Sequence, residues 1–418
     1  MATKDIAVIG GGAAGLAAAY LLSRKHRVLL FESADRLGGH AHTVTLQAGP
    51  DAGTALDVAF MVLNDRNYPT MHRLLDLLGG IAVKGSEMSF GYQSQDGRTQ
   101  YALNLRPGYV PGPHRPPETP LLMEIVRFFR HGARDLDTGA IGEQTYGQYL
   151  RAKGCSQAFI DAYAIPMAAA LWSSSPATVL EAPAAFVLAF YRHHGLLSLD
   201  TGPDWQTIAG GSQAYVSKVQ AALGDSVVLD APPVQVFRTA QGVELRSASG
   251  KVQPFDAVVV ATPADRALAL LGDPDEDEAR LLGAWRYQAS RGVLHSDERV
   301  MPTDRGAWAS WNYVQERPHA KCEGPTLTYH LDRLQALAGL QRKYFLTLNP
   351  VREPGQIQAE FAFRHPVYDA AAIASQAPIK ARNGARHTYF AGNYLGNGFH
   401  EDAISAGAAV AAALGCPL

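Results

Sequence analysis

An α/β protein built around a buried parallel sheet is what this sequence predicts, and three observations carry the prediction. Asp5-Ile-Ala-Val-Ile9 is an apolar run that opens directly into a glycine-rich turn and then an Ala/Leu-rich helical segment. Two more strand-like runs, Phe255 to Pro263 and His387 to Ala391, end in Thr-Pro and Gly-Asn turns, as strands entering a parallel sheet do. At 418 residues the chain exceeds one ordinary core, so two domains are expected.

Composition narrows the class. Hydrophobic residues make up 47% and charged residues 18% of the chain, the balance of a globular protein. A formal net charge of −2 supplies no basic face, so no nucleic-acid partner is expected. Cys155, Cys322 and Cys416 have neither CxxC nor metal-ligand spacing, which points to buried or incidental thiols, a reducing compartment and no metal site. Met1 to Lys4 runs straight into the first strand with no leader pattern, and no run of about 18 apolar residues is present. The expected location is the cytoplasm.

The first glycine turn is a nucleotide signal. Gly10, Gly12 and Gly15 fit GxGxxG, between the Asp5–Ile9 strand and a helix read over Leu16 to Arg24. The first glycine permits the tight turn, and the second lets backbone approach a pyrophosphate. The third lets helix and strand pack closely. Phosphates would sit on the free N–H groups of the helix N-terminus, beside Ala13 and Ala14. Arg27 to Phe31 is the second strand, and Glu32, 20 residues after Gly12, is placed for ribose hydroxyls with Ser33 beside it. A carboxylate there would repel a 2′-phosphate, so NADP is disfavoured. This is a Rossmann-like unit.

Arg36-Leu-Gly-Gly39, followed by His40, adds a second glycine-lined approach with an arginine available for phosphate. This stretch resembles the FAD-binding sequence of the flavin amine oxidase, protoporphyrinogen oxidase and phytoene desaturase superfamily. Several further implications follow from that resemblance. Asp57 to Met61 would pass beside the isoalloxazine ring, with Ala59, Phe60 and Met61 in contact. Trp205 to Ser212 resembles the family's Gly-Gly turn before a helix, and Val234 would meet adenine through its backbone. Ala261 and Thr262 would end a strand beside the nucleotide. Gly392 and Asn393, with Phe399, His400, Glu401, Asp402 and Ala403 at the start of a helix read over Asp402 to Leu414, would hold the ribityl chain and the pyrimidine edge. Many relatives carry Asp or Glu where Asn393 stands. A capping role is the alternative for Glu401 and Asp402.

The FAD-binding domain is therefore expected to be discontinuous, from residues 1–85, 200–270 and 380–418. An α+β substrate domain, a mixed sheet with helices, is expected from 86–199 and 271–379. In it, Leu121, Leu122, Ile125, Phe128 and Phe129 form one helical stripe over Pro120 to Arg134, with Arg127, Arg130 and Arg134 on another face. That helix either covers the core or docks on an anionic membrane, which would make the protein peripheral at the inner membrane face. Pro107, Pro111, Pro113, Pro116 and Pro117 mark a stiff loop before it. No sequence feature sets an oligomeric state.

Asp57 to Leu78, Ile165 to Ser173, His194 to Leu197, Trp308 to Tyr313, Tyr344 to Pro350, His365 to Tyr368 and Gly398 to Asp402 resemble a narrower bacterial branch. It includes flavoproteins that desaturate methyl-branched fatty acyl chains on the way to furan fatty acids. The implied reaction is hydride removal from an apolar substrate to flavin N5, desaturating or oxidising a methylated fatty acyl chain of a lipid. Two features weigh against amine oxidation. Phe399 stands where amine oxidases often place a cage tyrosine, and Arg291 to His295 lacks their lysine. His400, His295 and Tyr313 are the candidates for a base or orienting group. The alternatives are an FAD-dependent amine or other small-molecule oxidase, and a non-catalytic flavoprotein partner or lipid carrier.

Overall fold

The computed structural model describes residues 2–104, 115–198, 202–231 and 234–418. Two large sheets organise them. The first is five-stranded and parallel, in the order Val227–Val228, Arg27–Phe31, Asp5–Ile9, Ala257–Val260, Thr388–Phe390. Its middle strand, Asp5–Ile9, buries Ile6 and Val8 in one apolar cluster and Ala7 and Ile9 in another, which is why the run is apolar throughout.

Helix Ala13–Ser23 packs on one face of this sheet and against the C-terminal helix His400–Ala413. Both are rich in alanine because they approach closely. A Cβ on Gly407 would lie 2.2 Å from the Ala14 carbonyl oxygen. Each helix begins earlier than the sequence pattern suggests. Gly12 caps the first from an extended conformation, so Ala13 and Ala14 are already helical. The second starts at His400, because the Asp402 carboxylate accepts the Phe399 backbone N–H at 2.8 Å and closes its first turn.

The run from Phe255 to Pro263 is two strands rather than one. Phe255 ends Val252–Phe255, part of a three-stranded antiparallel sheet with Val234–Arg238 and Val243–Ser247. Asp256 turns the chain, its carboxylate accepting the Asp5 N–H at 2.7 Å, and Ala257–Val260 then enters the parallel sheet.

The second large sheet has seven strands, in the order Ile357–Pro366, Tyr287–His295, Phe345–Leu348, Leu327–His330, Trp311–Val314, Ser89–Gln93, Gln100–Asn104. It is antiparallel except where Trp311–Val314 pairs with Ser89–Gln93. Helices Thr119–Thr138, Ile165–Trp172 and Ala184–His193 share one apolar cluster with it. The architecture is thus the expected α/β one, a parallel nucleotide-type sheet joined to a mixed sheet with helices.

Helix Thr119–Thr138 buries Ile125 and Phe128 and half-buries Leu121, Leu122 and Phe129, so the apolar stripe covers the core. Met123, Arg127, Arg130 and Arg134 face outward. Of the proline-rich loop before it, Pro107, Pro111 and Pro113 lie outside the described residues. No helix among the described residues is long and apolar enough to cross a membrane.

Candidate active site

Two glycine loops zip together at the edge of the parallel sheet. Gly38 donates its N–H to the Gly11 carbonyl at 2.8 Å, and Gly12 and Gly38 form an isolated parallel bridge. Gly10 needs its glycine, because φ is 106° and a Cβ would meet the Ala261 carbonyl at 2.6 Å. At Gly15 a Cβ would fall 1.8 Å from the Gly10 oxygen, so helix and strand touch there. Gly12 differs: beyond its chain neighbours, no atom of the described residues lies within 4 Å of where its Cβ would be. That open side faces a cavity.

The cavity has a volume of about 1310 Å³. It exceeds the 300–1,000 Å³ or so of a site for one drug-sized ligand, leaving room for a dinucleotide and a second molecule. At one end lie Gly10, Gly12, Ala13 and Ala14, with Glu32, Ser33, Gly39 and His40. Ala59, Phe60, Met61, Val234, Ala261 and Thr262 continue the wall to Gly392, Asn393, Phe399, His400 and Ala403. Residues far apart in sequence therefore line one continuous space.

Other expected contacts do not line it. Arg36 points its guanidinium at the carbonyls of Leu37 (3.3 Å) and Gly39 (3.0 Å), holding the second glycine loop. Gly38 turns the chain, with φ 108° and the Ala41 carbonyl 2.3 Å from a would-be Cβ. The Glu401 carboxylate accepts the N–H groups of Thr70 (2.8 Å) and Met71 (2.9 Å) and so caps helix Pro69–Leu77. Asp402 caps its own helix. The capping alternative for both carboxylates is the one the structure adopts.

His295 and Tyr313 are corrected too. His295 is fully buried in the seven-stranded sheet, with Nε2 2.8 Å from the Thr347 hydroxyl and Nδ1 accepting the Asp297 N–H at 3.1 Å. Tyr313 is buried with its hydroxyl 3.4 Å from His319 Nδ1. Both pack the sheet and neither reaches the cavity. His295 pairs with Phe345 on the face away from the lining Leu346, whereas Tyr313 shares the face of the lining Trp311 but sits two residues further along, against Tyr92.

His400 does reach it. Its ring stacks on Phe60 with centroids 3.8 Å apart and planes 6° apart, and Nε2 lies 2.9 Å from the Tyr215 hydroxyl. Surrounding protein desolvates the imidazole and His40 opposes its charge, so its pKa falls to about 3 and the ring is neutral. Tyr215 is fully buried, and leaving its hydroxyl hydrogen without an acceptor would cost about 1–3 kcal/mol. Nε2 is therefore the acceptor and Nδ1 carries the proton.

The far end is a chamber built by the seven-stranded sheet and its helices. Met88, Phe90, Leu346 and Leu348 come from or beside strands, Met167 and Leu171 from helix Ile165–Trp172, and Phe190 from Ala184–His193. A π-helical turn, Ile160–Ala164, runs into Ile165–Trp172, which stops at Ser173 in a left-handed conformation on the chamber wall (φ 49°). Phe399 stacks on Phe190, 4.6 Å between centroids. Across the whole wall Glu32, at the nucleotide end, is the one carboxylate among the described residues, and no lysine is present.

Sequence reasoning passed over His194. It stacks on Phe190 at 3.8 Å, and its Nδ1 lies 3.1 Å from the Phe190 carbonyl, which can only accept. Nδ1 therefore carries the hydrogen, and Nε2 is an acceptor on the cavity wall. Burial lowers its pKa to about 4. Its position after an amphipathic helix, in the branch-like His194-Gly-Leu-Leu197 segment, was the available signal. Tyr215, four residues past a Gly-Gly turn, gave none.

A glycine-lined helix N-terminus, an elongated cavity and a parallel sheet drawn from three stretches of chain define a dinucleotide-binding flavoprotein. The chain belongs to the family of flavin containing amine oxidoreductases, whose model matches residues 13–296. It is 28% identical over 289 residues to a Mycobacterium tuberculosis protein assigned as a flavin-containing monoamine oxidase, covering 65% of this chain and 60% of that one. An L-amino acid dehydrogenase of Synechocystis is 24% identical over 275 residues, covering 62% and 56%. The matches thus span less than two thirds of these relatives' lengths. Among solved structures, the CLA-producing fatty acid isomerase from P. acnes superposes with a TM-score of 0.70 at 19% identity, covering 96% of each chain. A putrescine oxidase bound to putrescine gives 0.70 at 15%, covering 99% of each. At those identities the likeness is one of fold.

FAD is the cofactor this site fits: the open side of Gly12 leaves space for a pyrophosphate, and Glu32 stands where a ribose would lie. Bound there, it supplies a two-electron acceptor.

Proposed function

We propose that this protein is an FAD-dependent oxidoreductase that takes hydride from an apolar substrate, desaturating or oxidising a methylated fatty acyl chain of a lipid. One observation carries the reading. The chamber beyond the nucleotide end is walled by Met, Phe, Leu, Trp and Tyr side chains and, among the described residues, offers no carboxylate to a cationic amine. An ammonium there would lose its hydration with only aromatic faces such as Trp311 and Tyr329 to offset the loss, whereas an acyl chain gains from burial at about 0.8 kcal/mol per CH₂. The segments 1–85, 200–270 and 380–418 hold FAD in this reading, and 86–199 with 271–379 supply the chamber.

This chain's own residues would do three things. Gly12, Gly39 and Glu32 hold the cofactor. The apolar wall excludes water and aligns the chain. Nε2 of His194 accepts the proton released when the neighbouring C–H bond becomes part of a double bond, a role for which its fixed tautomer suits it. The outward stripe of helix Thr119–Thr138, with Met123, Arg127, Arg130 and Arg134, would contact an anionic bilayer that presents the lipid.

The test is anaerobic incubation of the holoprotein with methylated monounsaturated phospholipid, followed by flavin absorbance and lipid mass. The expected result is flavin bleaching and a product two hydrogens lighter. Unchanged flavin and lipid would overturn the reading. The family match and the monoamine oxidase and amino acid dehydrogenase relatives favour a second reading, an oxidase of amines. Peroxide release across an amine panel, with the lipid inert, would establish it instead.

A further inference from the structure

We propose that Tyr215 is a positioning residue that fixes His400 as the neutral Nδ1–H tautomer. The cavity thereby gains a hydrogen-bond donor beside the N-terminus of helix His400–Ala413, where it stabilises negative charge on bound flavin. The inference rests on FAD binding and is independent of the acyl-chain reading.

The ring has little freedom. Phe60 stacks flat on one face, and Tyr215 meets it nearly edge-on, 5.7 Å between centroids at 73°. Among the described residues the Tyr215 hydroxyl has one hydrogen-bond partner, Nε2 of His400. The phenol stays protonated, since burial opposes its ionisation and the charge of Asp57 adds to the effect. Asp57 itself does not compete for the hydroxyl hydrogen. Its carboxylate already accepts the Ser212 N–H (2.9 Å), the Ser212 hydroxyl (2.7 Å) and the Thr43 hydroxyl (2.6 Å).

Among the described residues nothing draws the hydrogen on Nδ1 away. Glu401 is turned to Thr70 and Met71, and Asp402 to Phe399. Tyr68 stacks behind Phe60, and His40 across the cavity has its own pKa lowered by desolvation and by Arg36. Nδ1 has no partner among the described residues and is not among the sealed buried atoms, so it opens on the cavity. An N–H donor at a helix N-terminus adds to the partial positive charge there and favours an anion. Being neutral, it does so without placing a full charge beside the oxidised ring.

The tautomer can be read directly, by long-range ¹H–¹⁵N NMR of holoprotein labelled at histidine. The wild type should show His400 protonated on Nδ1. Tyr215→Phe keeps the ring packing, and should give a mixture with the Nε2–H form and a lower flavin midpoint potential. A tenfold loss of stabilisation of the two-electron-reduced form corresponds to about 30 mV. His400→Phe preserves the stack on Phe60 and should lower the potential at least as far, with the double variant falling no further. An Nε2–H signal in the wild type would overturn the proposal, as would a Tyr215→Phe holoprotein with wild-type potential. If Tyr215→Phe fails to retain FAD, His400→Phe decides, and an unchanged potential there is equally fatal. Neither result bears on whether lipid or amine is oxidised.

Discussion

The two ends of the cavity are built on opposite principles. At the nucleotide end the wall is mostly backbone: glycine turns and helix starts whose geometry is set by close packing, as at Gly10 and Gly15. At the chamber end it is side chains, converging from several strands and helices that are remote in sequence. Backbone recognition tolerates few sequences but reads a common cofactor. Side-chain convergence tolerates many sequences and sets what is specific to this protein.

Substituting the glycines should separate the two kinds of constraint within the nucleotide end itself, with the largest effect of all. Gly12→Val projects into open space, so the apoprotein should fold with an unchanged Tm while FAD affinity falls about 10²-fold. That loss equals two charge-assisted hydrogen bonds at about 1.5 kcal/mol each. Gly15→Ala should do the reverse, destabilising the apoprotein by about 1–3 kcal/mol through overpacking. Equal effects of the two on FAD-to-protein ratio and on Tm would erase the distinction.

At the chamber end, His194→Phe keeps the stack on Phe190 and removes the acceptor nitrogen. It should lower kcat about 10²-fold with FAD content unchanged. Loss of FAD instead would make His194 part of the nucleotide site.

His194 also gives the chamber a pH signature. Its pKa is about 4 in the folded protein against an ordinary 6.5, so the unfolded chain takes up the proton first as pH falls. Its stabilising contribution is complete above about pH 6.5 and is lost as pH drops toward about 4, with a slope of about 1.4 kcal/mol per pH unit. Denaturant unfolding of wild type and His194→Phe across that window should show a flatter profile in the variant.

The smallest expected effect lies outside both ends. Arg130→Glu, on the outward stripe of helix Thr119–Thr138, should weaken binding to phosphatidylserine vesicles about fivefold or somewhat more, since each basic residue contributes about 1 kcal/mol. Unaltered sedimentation with vesicles would remove the membrane from the account.

The sequence by itself determined the α/β class, the glycine turn at Gly10 to Gly15, and Glu32 at the end of the second strand. These depend on contacts within about 30 residues, where local geometry permits few alternatives. It also pointed, through resemblance, to Gly39, Gly392, Asn393, Phe399 and His400, which line one cavity. Tertiary structure alone decided which side chains face the cavity. It turned His295 and Tyr313 into sheet packing, and Arg36, Glu401 and Asp402 into groups that hold loops and helix starts. It introduced Tyr215, whose role comes from a partner 185 residues away, and set His194 on the cavity wall. The physical reason is that a residue's orientation on a strand or helix is fixed by what packs on the opposite face. That packing is assembled from the whole chain, beyond the reach of any local pattern.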